Sequence, residues 1–517
     1  MTKSHKLNYL ILLILGTLSS FSLPPYNYFI LNFVSYTFFF IFIFEGVRTN
    51  LSFLKLFLYG WFFGFGYFLS SLYWISISLT FDDNFKFLIP LSVSIIPAFL
   101  AIFYGIAIAI LKFLINKKKI LSSIFIFSLS IGILEFIRGK ILSGFPWNLI
   151  AYSFSEQLEF IQINSVLGIY GFNLFCLTLF STPAIFILRQ SKKDLIVLFF
   201  ILLIGITNLI YGYLNLDLKK NLNIKKNINI VSVSTDVSLE RFYSSKVDEY
   251  SIIENLINLS DSKKFLDKKT LFVWPEGVLP STNVNNIKFY QELFKQNFDD
   301  DHYILIGLNR EEANNGNKSF YNSLALIDSS ANLLAYYDKK KLVPFGEFLP
   351  LENVLSKLGL KSLTNNYQSY SKGKNKKSLL NVNDLDLNLL ATICYEIIYS
   401  GELNSKSDYD LIINVSEDGW FGNSIGPHQH FAHSIFRAIE NGRIVIRSAN
   451  NGISAIIEPN GKIKSRINLE DTGSIFTNEI YIRDTIFSNY GNKTFFLLIL
   501  IYIFFIFSFN KIKNEQY

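Results

Sequence analysis

Long apolar runs constrain the fold of this 517-residue chain more than any other feature of its sequence. Seven such runs lie within the first 214 residues, and an eighth lies close to the C-terminus. Most of them reach the roughly 20 residues that an α-helix needs to cross the hydrocarbon core of a bilayer. We therefore predict a polytopic α-helical membrane domain of about eight spans. The predicted spans are 7–22, 28–44, 54–77, 88–114, 120–137, 160–188, 195–214 and 495–509.

The first apolar run has a second interpretation. It follows Lys3 and Lys6 and ends with Ser20 and Ser22, which is also the pattern of a cleavable signal peptide. A retained first span is the simpler interpretation, since further apolar runs follow at once.

The long stretch between the seventh and eighth runs has a different composition. With 50% hydrophobic residues, 16% aromatics and a mean hydropathy of +0.30, the whole chain is too apolar for an ordinary soluble protein, yet the apolar density falls after Asn215. We therefore predict N-terminal transmembrane helices over 1–214, an inserted soluble domain over 215–490, and a C-terminal transmembrane helix with a cytoplasmic tail over 491–517. The net charge of +7 does not indicate a nucleic-acid partner, because lysines cluster in short loops beside the apolar runs.

Lysine and arginine in the short loops predict the orientation of the spans, because positive residues concentrate on the cytoplasmic side of membrane proteins. Three positive residues, Lys86, Arg138 and Lys140, fall on the opposite side and do not fit this orientation. We predict that the soluble domain lies outside the cytoplasm. If the spans alternate, the cytoplasmic side collects Lys3, Lys6, Arg48, Lys55, Lys112, Lys117, Lys118, Lys119, Arg189, Lys192, Lys193, Lys511 and Lys513.

The soluble stretch has the pattern of alternating strands and helices. Helical spacing over 245–267 and 427–442 predicts helices that cover the faces of a sheet. Together with the strands, they predict an α/β layered sandwich. Short aliphatic runs predict the strands at 228–233, 270–273, 304–308, 324–327, 387–393, 411–415, 444–447 and 454–457.

Three residues of this stretch carry chemistry that packing does not require. Glu276 follows the strand 270–273 after a proline, and Lys339 lies before a turn-like segment. Cys394 ends the run 387–393, and it is the only cysteine of the soluble stretch, so it has no disulfide partner there. A free thiol is only about 3% ionised at neutral pH, and it therefore needs a base to act as a nucleophile.

Glutamate, lysine and cysteine together form a workable set for acyl transfer. Glu276 would take the thiol proton, and Lys339 would place positive charge where a tetrahedral oxyanion develops. Each residue also has a simpler interpretation: Glu276 as a solvated strand-end charge, Lys339 as one of three adjacent surface lysines, and Cys394 as a core residue. Spacing alone does not show that the three meet in space.

Two charged residues stand near the outer end of a predicted span. An ion at mid-bilayer costs about 2.5 to 3.5 kcal/mol on insertion scales, so we expect Glu135 and Arg138 to face the bundle interior or the interface. They fit either an interfacial anchor, with Trp147 in the aromatic belt, or a lipid-headgroup site. Cys176 lies inside an apolar helix, and we expect it to be structural.

Several motifs resemble a known family. The first three are Trp274-Pro275-Glu276, Lys339 with Leu342-Val343-Pro344-Phe345-Gly346-Glu347, and Cys394-Tyr395-Glu396. A longer similar stretch comprises Asp418-Gly419-Trp420-Phe421-Gly422, Gly426-Pro427-His428-Gln429-His430, Arg437, Ala438, Glu440 and Asn450-Asn451-Gly452. They resemble the Glu-Lys-Cys signature of the nitrilase superfamily and, more narrowly, the apolipoprotein N-acyltransferases of the bacterial cytoplasmic membrane. The architecture, a nitrilase-like domain before a last membrane span, is also similar.

This resemblance implies a fold and a site. The inserted domain would be a nitrilase-like αββα sandwich, and no cofactor or metal would be needed. The implied site residues are Glu276 as general base, Lys339 as oxyanion stabiliser and Cys394 as nucleophile, with Glu347, Tyr395 and Glu396 in support.

The resemblance also implies the reaction and its partners. An acyl chain from a membrane phospholipid would become a thioester on Cys394. It would then pass to the α-amine of the N-terminal diacylglyceryl-cysteine of an apolipoprotein, in the last step of lipoprotein maturation. The protein would lie in the inner membrane with its catalytic domain on the periplasmic side. One segment departs from the family, since Phe242 and Tyr243 stand where a tryptophan is usual.

Three other functions remain open on the residues alone. A membrane-anchored nitrilase-type amidase or hydrolase would use the same triad with water as acceptor. A metal site at His428, His430 and His433 would use three of the five histidines, although their spacing matches no common zinc pattern. A membrane receptor whose outer domain only binds a ligand would not need the Cys394 thiol.

Overall fold

The chain divides into two compact units. Met1–Asp217 with Tyr490–Tyr517 is the membrane unit, and Leu218–Asn489 is the α/β unit. Lys513, and with it the end of the predicted cytoplasmic tail, lies outside the described residues. The computed structural model describes residues 3–189, 191–217, 223–243, 247–314, 317–358, 369–374, 378–402 and 408–511.

The membrane unit is built from α-helices. They are α1 (Lys3–Ser20), α2 (Ile30–Arg48), α3 (Phe53–Leu72), α4 (Ile89–Leu114), α5 (Ile120–Arg138), α6 (Leu158–Ile161), α7 (Asn164–Ser181), α8 (Pro183–Leu188), α9 (Lys192–Leu216) and, at the C-terminal end, α15 (Lys493–Lys511). Within the described residues, seven helical segments are long and apolar enough to cross a membrane, and α1 adds the shorter apolar segment Lys6–Ser20. The predicted polytopic helical membrane domain is confirmed.

The predicted span 160–188 is divided among α6, α7 and α8. Gly168 has a φ of +65° and a ψ of 173°, which interrupts the helical geometry inside α7. Glycine adopts this φ without the steric cost of a Cβ atom. Pro183 opens α8 at a position where its missing N–H removes no helical hydrogen bond. Hydropathy therefore predicted the apolar segment, but not its interruptions. Gly168 interrupts the helical geometry of α7, and Pro183 marks the start of α8.

Glycines allow α3 to pack closely against two neighbouring helices. A Cβ atom on Gly66 would lie 2.1 Å from the carbonyl oxygen of Leu13 in α1. A Cβ atom on Gly60 would lie 2.4 Å from the carbonyl oxygen of Tyr104 in α4. Such close approach supplies van der Waals contact, which drives helix association where lipid removes the hydrophobic driving force.

Glu135 and Arg138 face the interior of the bundle, where they are 1% and 2% exposed. Tyr104 of α4 donates a hydrogen bond of 2.8 Å to Glu135, and Asn173 of α7 donates to its other oxygen. Arg138 donates to two carbonyl groups of the loop that follows α5. Trp147, expected in an interfacial aromatic belt, is only 3% exposed within the unit. Glu135 therefore joins α5 to α4 and α7, and Arg138 joins α5 to the loop that follows it.

The α/β unit contains two six-stranded sheets. Their strands are β1 (Asn223–Ser234), β2 (Thr270–Val273), β3 (His302–Asn314), β4 (Asn317–Asp328), β5 (Leu333–Asp338), β6 (Leu379–Val382), β7 (Leu387–Ile393), β8 (Leu411–Glu417), β9 (Ile444–Asn450), β10 (Ser454–Ile457), β11 (Ile463–Ile467) and β12 (Gly473–Ile482). The strand orders are β12-β1-β2-β3-β4-β5 and β11-β10-β9-β8-β7-β6. The strands β1, β2 and β3 run parallel, as do β7, β8 and β9.

Hydroxyl groups join the two sheets at their centre. Ser232 of β1 donates a hydrogen bond of 2.7 Å to the carbonyl oxygen of Arg447 in β9. Ser448 of β9 donates one of the same length to the carbonyl oxygen of Val233. Small side chains at these positions let the two strands approach one another, so that the sheets stack face to face.

Helices cover the outer faces of the sheets. The unit contains α10 (Glu249–Ser260), α11 (Gln291–Asn297), α12 (Glu352–Leu355), α13 (Gly426–Asn441) and α14 (Ile486–Tyr490). Ile253 and Leu256 of α10 and Phe294 of α11 share a buried cluster with Phe272 and Ile304 of the first sheet. The helix α13 packs on β9 and β10 of the second sheet. The predicted αββα sandwich is confirmed.

The eight predicted strands all lie within observed strands, and the strands that prediction missed share one property. They are β5, β6, β11 and β12, which form the four edges of the two sheets. An edge strand is covered on fewer sides than a central one, so its residues stay more exposed, as Leu333 and Leu334 of β5 do. In β11 and β12 partly exposed and exposed residues outnumber buried ones, and no aliphatic run marks them.

Close packing at Gly307 gives a test of the α/β unit. A Cβ atom there would lie 2.6 Å from the Cα atom of Glu276 and 3.0 Å from the carbonyl oxygen of Pro275. We expect Gly307→Ala to destabilise the unit by about 1–3 kcal/mol through overpacking, seen as a lower midpoint of thermal unfolding. Gly205→Ala is the control, since a Cβ atom on Gly205 meets nothing within 4 Å. Equal midpoints for both variants would contradict this packing argument.

Candidate active site

Three strands end at the predicted triad. Glu276 follows β2 after Trp274 and Pro275, Lys339 follows β5 directly, and Cys394 follows β7 directly. Lys339 Nζ lies 3.4 Å from Glu276 Oε1. All three residues are buried, with 7%, 1% and 8% of their surfaces exposed, respectively.

The Lys339 ammonium has a second carboxylate partner. Its Nζ lies 2.9 Å from Glu347 Oε1. The other oxygen of Glu347 accepts a hydrogen bond of 2.8 Å from the backbone N–H of Val343. Burial alone would lower the pKa of Lys339, but the charges of Glu276 and Glu347 outweigh it and raise that pKa well above its usual value. Lys339 is therefore a charged ammonium at neutral pH.

Asn322 joins the two carboxylates, and sequence reasoning missed it. Its Nδ2 atom donates hydrogen bonds of 2.7 Å to both Glu276 Oε1 and Glu347 Oε1. Its backbone carbonyl accepts a 2.8 Å hydrogen bond from the N–H of Lys339. In the sequence, Asn322 is only a polar residue shortly before the apolar run 324–327. Such residues are too common for this position to be singled out.

The second oxygen of Glu276 has its own donor. The backbone N–H of Glu417, at the end of β8, donates a hydrogen bond of 3.0 Å to Glu276 Oε2. The Glu417 side chain forms a buried ion pair with Arg241. Arg241 also donates to the carbonyl of Gly277, the residue after Glu276. These contacts hold the Glu276 carboxylate from both sides.

Cys394 adopts a backbone conformation that is rare for its residue type. Its φ is +49°, in the left-handed region that favours glycine. A non-glycine residue there costs of order 1–3 kcal/mol and persists only when the surrounding structure holds it. Such strain is concentrated at active sites, and here it falls on the one thiol of the α/β unit.

The electrostatics of the site keep the Cys394 thiol protonated at rest. Burial raises the pKa of Cys394, and the nearby charge of Glu276 raises it further, while Lys339 lowers it. A neutral thiol reacts slowly, so the proton has to leave as the bond to a substrate forms. Glu276 supplies a carboxylate in the same cluster, and Lys339 supplies a fixed positive charge.

Glu396 links the Lys339 segment to the Cys394 segment. Its Oε1 accepts from the N–H of Lys340 at 2.8 Å and of Lys341 at 3.1 Å. Its Oε2 accepts from the N–H of Ile393 at 2.9 Å. The carboxylate is buried, and it is thus placed to orient both segments. Tyr395 is also buried, and its ring packs edge-on against Tyr399 with centroids 5.3 Å apart.

The histidines of α13 do not form a metal site. Among the described residues, no group of three or more histidine, cysteine, aspartate or glutamate side chains could hold a metal ion. His430 Nδ1 instead lies 2.9 Å from Asp418 Oδ1. His433 is buried, and that burial lowers its pKa well below the usual value, with the charge of Arg437 adding to the effect.

The aromatic residues that depart from the resembled family pack together. The Phe242 ring lies 5.3 Å from the Trp420 ring, and the Tyr243 ring lies 6.4 Å from it.

Two apolar residues after Lys339 are exposed: Phe345 and Leu351 are 48% and 78% exposed, and each has a positive φ. The α/β unit therefore presents apolar side chains on strained loops in the segment that follows Lys339.

Two family models match this chain. The N-terminal domain of apolipoprotein N-acyltransferases matches residues 15–182, and the carbon-nitrogen hydrolase model matches residues 255–485. An amidase crystal structure from Nesterenkonia sp. covers 50% of this chain and 92% of its own, with 12% identity and a TM-score of 0.32.

Relatives align over nearly the full length. The apolipoprotein N-acyltransferase of Rhizobium rhizogenes is 32% identical over 505 residues, which cover 95% of this chain and 93% of the relative. That of Rickettsia prowazekii is 34% identical over 454 residues, which cover 86% of this chain and 88% of the relative. The resemblance seen in the motifs is confirmed, and this chain belongs to the apolipoprotein N-acyltransferase family.

Proposed function

We propose that this membrane enzyme transfers an acyl chain from a phospholipid to the N-terminal α-amine of diacylglyceryl apolipoproteins, through a thioester on Cys394. The observation that carries the proposal is the buried cluster in which Lys339 lies between Glu276 and Glu347. The family membership supports the same activity. The two substrates have a lipid anchor in common. The phospholipid supplies the ester that is attacked, and the apolipoprotein supplies the amine.

The first half-reaction forms the thioester. Glu276 accepts the thiol proton as Cys394 Sγ attacks the carbonyl carbon of the phospholipid ester. Negative charge develops on the carbonyl oxygen, and the Lys339 ammonium stabilises it. The carbon–oxygen bond then breaks, and the lysophospholipid leaves as an alcohol after it takes up the proton from Glu276.

The second half-reaction forms the amide. The neutral α-amine of the apolipoprotein attacks the thioester carbonyl, and Glu276 accepts a proton from the nitrogen. Lys339 again stabilises the oxyanion. The carbon–sulfur bond breaks, the proton returns to Cys394, and the enzyme is restored without any change in oxidation state.

The membrane unit fits lipid-anchored substrates. Both the donor and the acceptor partition into a bilayer. The described part of the chain has seven helical segments able to cross one, so the enzyme would lie in the same membrane as its substrates. The distribution of loop lysines supports an inner-membrane protein whose catalytic unit lies on the periplasmic side. That position would meet apolipoproteins after their export.

Mass spectrometry of the purified protein after incubation with phospholipid tests the nucleophile. We expect an acyl adduct on Cys394 that is absent in Cys394→Ala and strongly reduced in Glu276→Gln, because each variant removes a group needed for attack. Cys176→Ala is the control, since this second cysteine lies within α7. Activity that survives in Cys394→Ala would refute the proposal. Release of free fatty acid without transfer to an apolipoprotein would indicate a hydrolase instead.

The pH dependence of thiol alkylation tests the role of Lys339. Its positive charge lowers the pKa of Cys394, so Lys339→Met should raise that pKa and move the alkylation profile to higher pH. A shift of one unit reduces the thiolate about tenfold at a fixed pH. Lys341→Met is the control, because Lys341 pairs with Glu402 at 2.6 Å. An unshifted profile in folded Lys339→Met would exclude this charge effect.

A further inference from the structure

Three buried ionisable side chains lie beside the nucleophile and have no part in the proposed half-reactions. Asp418, His430 and Arg447 are each 0% exposed. Arg447 Nη2 donates to Asp418 Oδ2 at 2.7 Å, and His430 Nδ1 lies 2.9 Å from Asp418 Oδ1. Removing three such groups from water is costly unless each finds partners. We call Arg447, Asp418 and His430 the buried triplet.

The buried triplet reaches the backbone of the nucleophile. His430 Nε2 lies 3.2 Å from the carbonyl oxygen of Cys394. Asn414 Nδ2 lies 3.4 Å from the same oxygen. On the other side of Cys394, the N–H of Ile393 donates to Glu396. Hydrogen bonds therefore hold the chain on both sides of a residue whose φ of +49° is unfavourable.

The neighbours of His430 decide where its proton lies. Nε2 faces a carbonyl oxygen, so a hydrogen bond to Cys394 requires the proton on Nε2. Nδ1 faces a donor as well as an acceptor, because Arg447 Nη2 lies 3.1 Å from it. Burial lowers the pKa of His430, and the charge of Arg447 lowers it further. The Cys394 carbonyl therefore fixes a proton on Nε2, whereas Nδ1 has both an acceptor, Asp418, and a donor, Arg447, within reach.

Arg447 and Asp418 in turn hold the ring in place. Arg447 also donates from Nε to the carbonyl of Ile453 at 3.0 Å. Ser416 donates to Asp418 Oδ1 at 2.6 Å. Burial alone would raise the pKa of Asp418, but the charge of Arg447 and the hydrogen bonds that the carboxylate accepts outweigh it and lower that pKa below its usual range. The carboxylate is therefore ionised, and it gives the triplet a fixed anchor.

We propose that His430 is a positioning residue, whose Nε2–H holds the Cys394 carbonyl and so keeps the nucleophile in its left-handed conformation. The inference rests on the proposed role of Cys394 as the nucleophile. Its effect would be on the placement of Sγ, because no atom of His430 takes part in bond making. Loss of the hydrogen bond should slow attack by Cys394 while the fold persists.

Two amide variants separate this role from simple packing. In glutamine the amide nitrogen can take the place of Nε2, whereas in asparagine it can take only the place of Nδ1. We expect His430→Gln to alkylate with iodoacetamide within about threefold of the unmodified protein, and His430→Asn to be about tenfold slower, the effect of one lost hydrogen bond. Acyl-thioester formation from phospholipid in a single turnover should follow the same order. His428→Asn, the same change two residues earlier, should leave both rates unchanged.

The measurements use the full-length protein, with thermal unfolding checked for each variant. Equal rates in folded His430→Gln and His430→Asn would overturn the inference. If His430→Asn does not fold, His430→Met replaces it, since a thioether side chain of the same length as glutamine offers no donor and should also be about tenfold slower or worse. Retained rates in that variant would equally overturn it. If the variants keep the expected order of alkylation rates but the protein without substitutions never forms a thioester, the proposed function is refuted and the positioning role remains supported.

Discussion

A buried ammonium between two carboxylates is the interaction on which the α/β unit depends. Lys339 is 1% exposed, and an ion removed from water to that extent is tolerated only when opposite charges and hydrogen bonds replace its hydration. Glu276 and Glu347 supply the charges, and Asn322 fixes the distance between them. The ends of β2 and β5 must therefore stay in register, since a shift of one residue would leave a charge unpaired. The charges of Glu276 and Lys339 in turn act on the thiol of Cys394.

The two sheets explain how residues 118 positions apart in the chain, Glu276 and Cys394, come to act on one another. Each follows a strand that has a parallel partner, and parallel strands bring their carboxyl ends to the same edge of a sheet. Hydroxyl groups of β1 and β9 then hold the sheets face to face. Lys339 differs because it follows β5, an edge strand. A buried cation of the site therefore directly follows a strand whose first residues are partly exposed.

Particular residues show how far the sequence could be interpreted. Glu276, Lys339 and Cys394 were predicted because their chemistry forms a set and their motifs resemble a family. Asn322 and Arg447 were missed, although Arg447 stands as a charge at the end of the predicted strand 444–447. Asp418 and His430 were named only within the family-like motifs, and His430 also as a candidate metal ligand. One charged residue in an apolar run shows that a partner must exist, but it does not show which one. The partners of Arg447 are Asp418 and His430, 29 and 17 positions earlier in the chain.

The sequence by itself determined the division into apolar helices and an α/β unit and the central strands, and it singled out Glu276, Lys339 and Cys394 as candidate site residues. Those features are local, because hydrophobic periodicity and strand-end residues follow from neighbours in the chain. Only the tertiary structure decided the edge strands, the break at Gly168, the bridging amide of Asn322 and the positive φ of Cys394. These depend on the register of strands and on charges that meet after burial. A single chain carries no local signal for them, because their energy arises from contacts between segments that are far apart in the sequence.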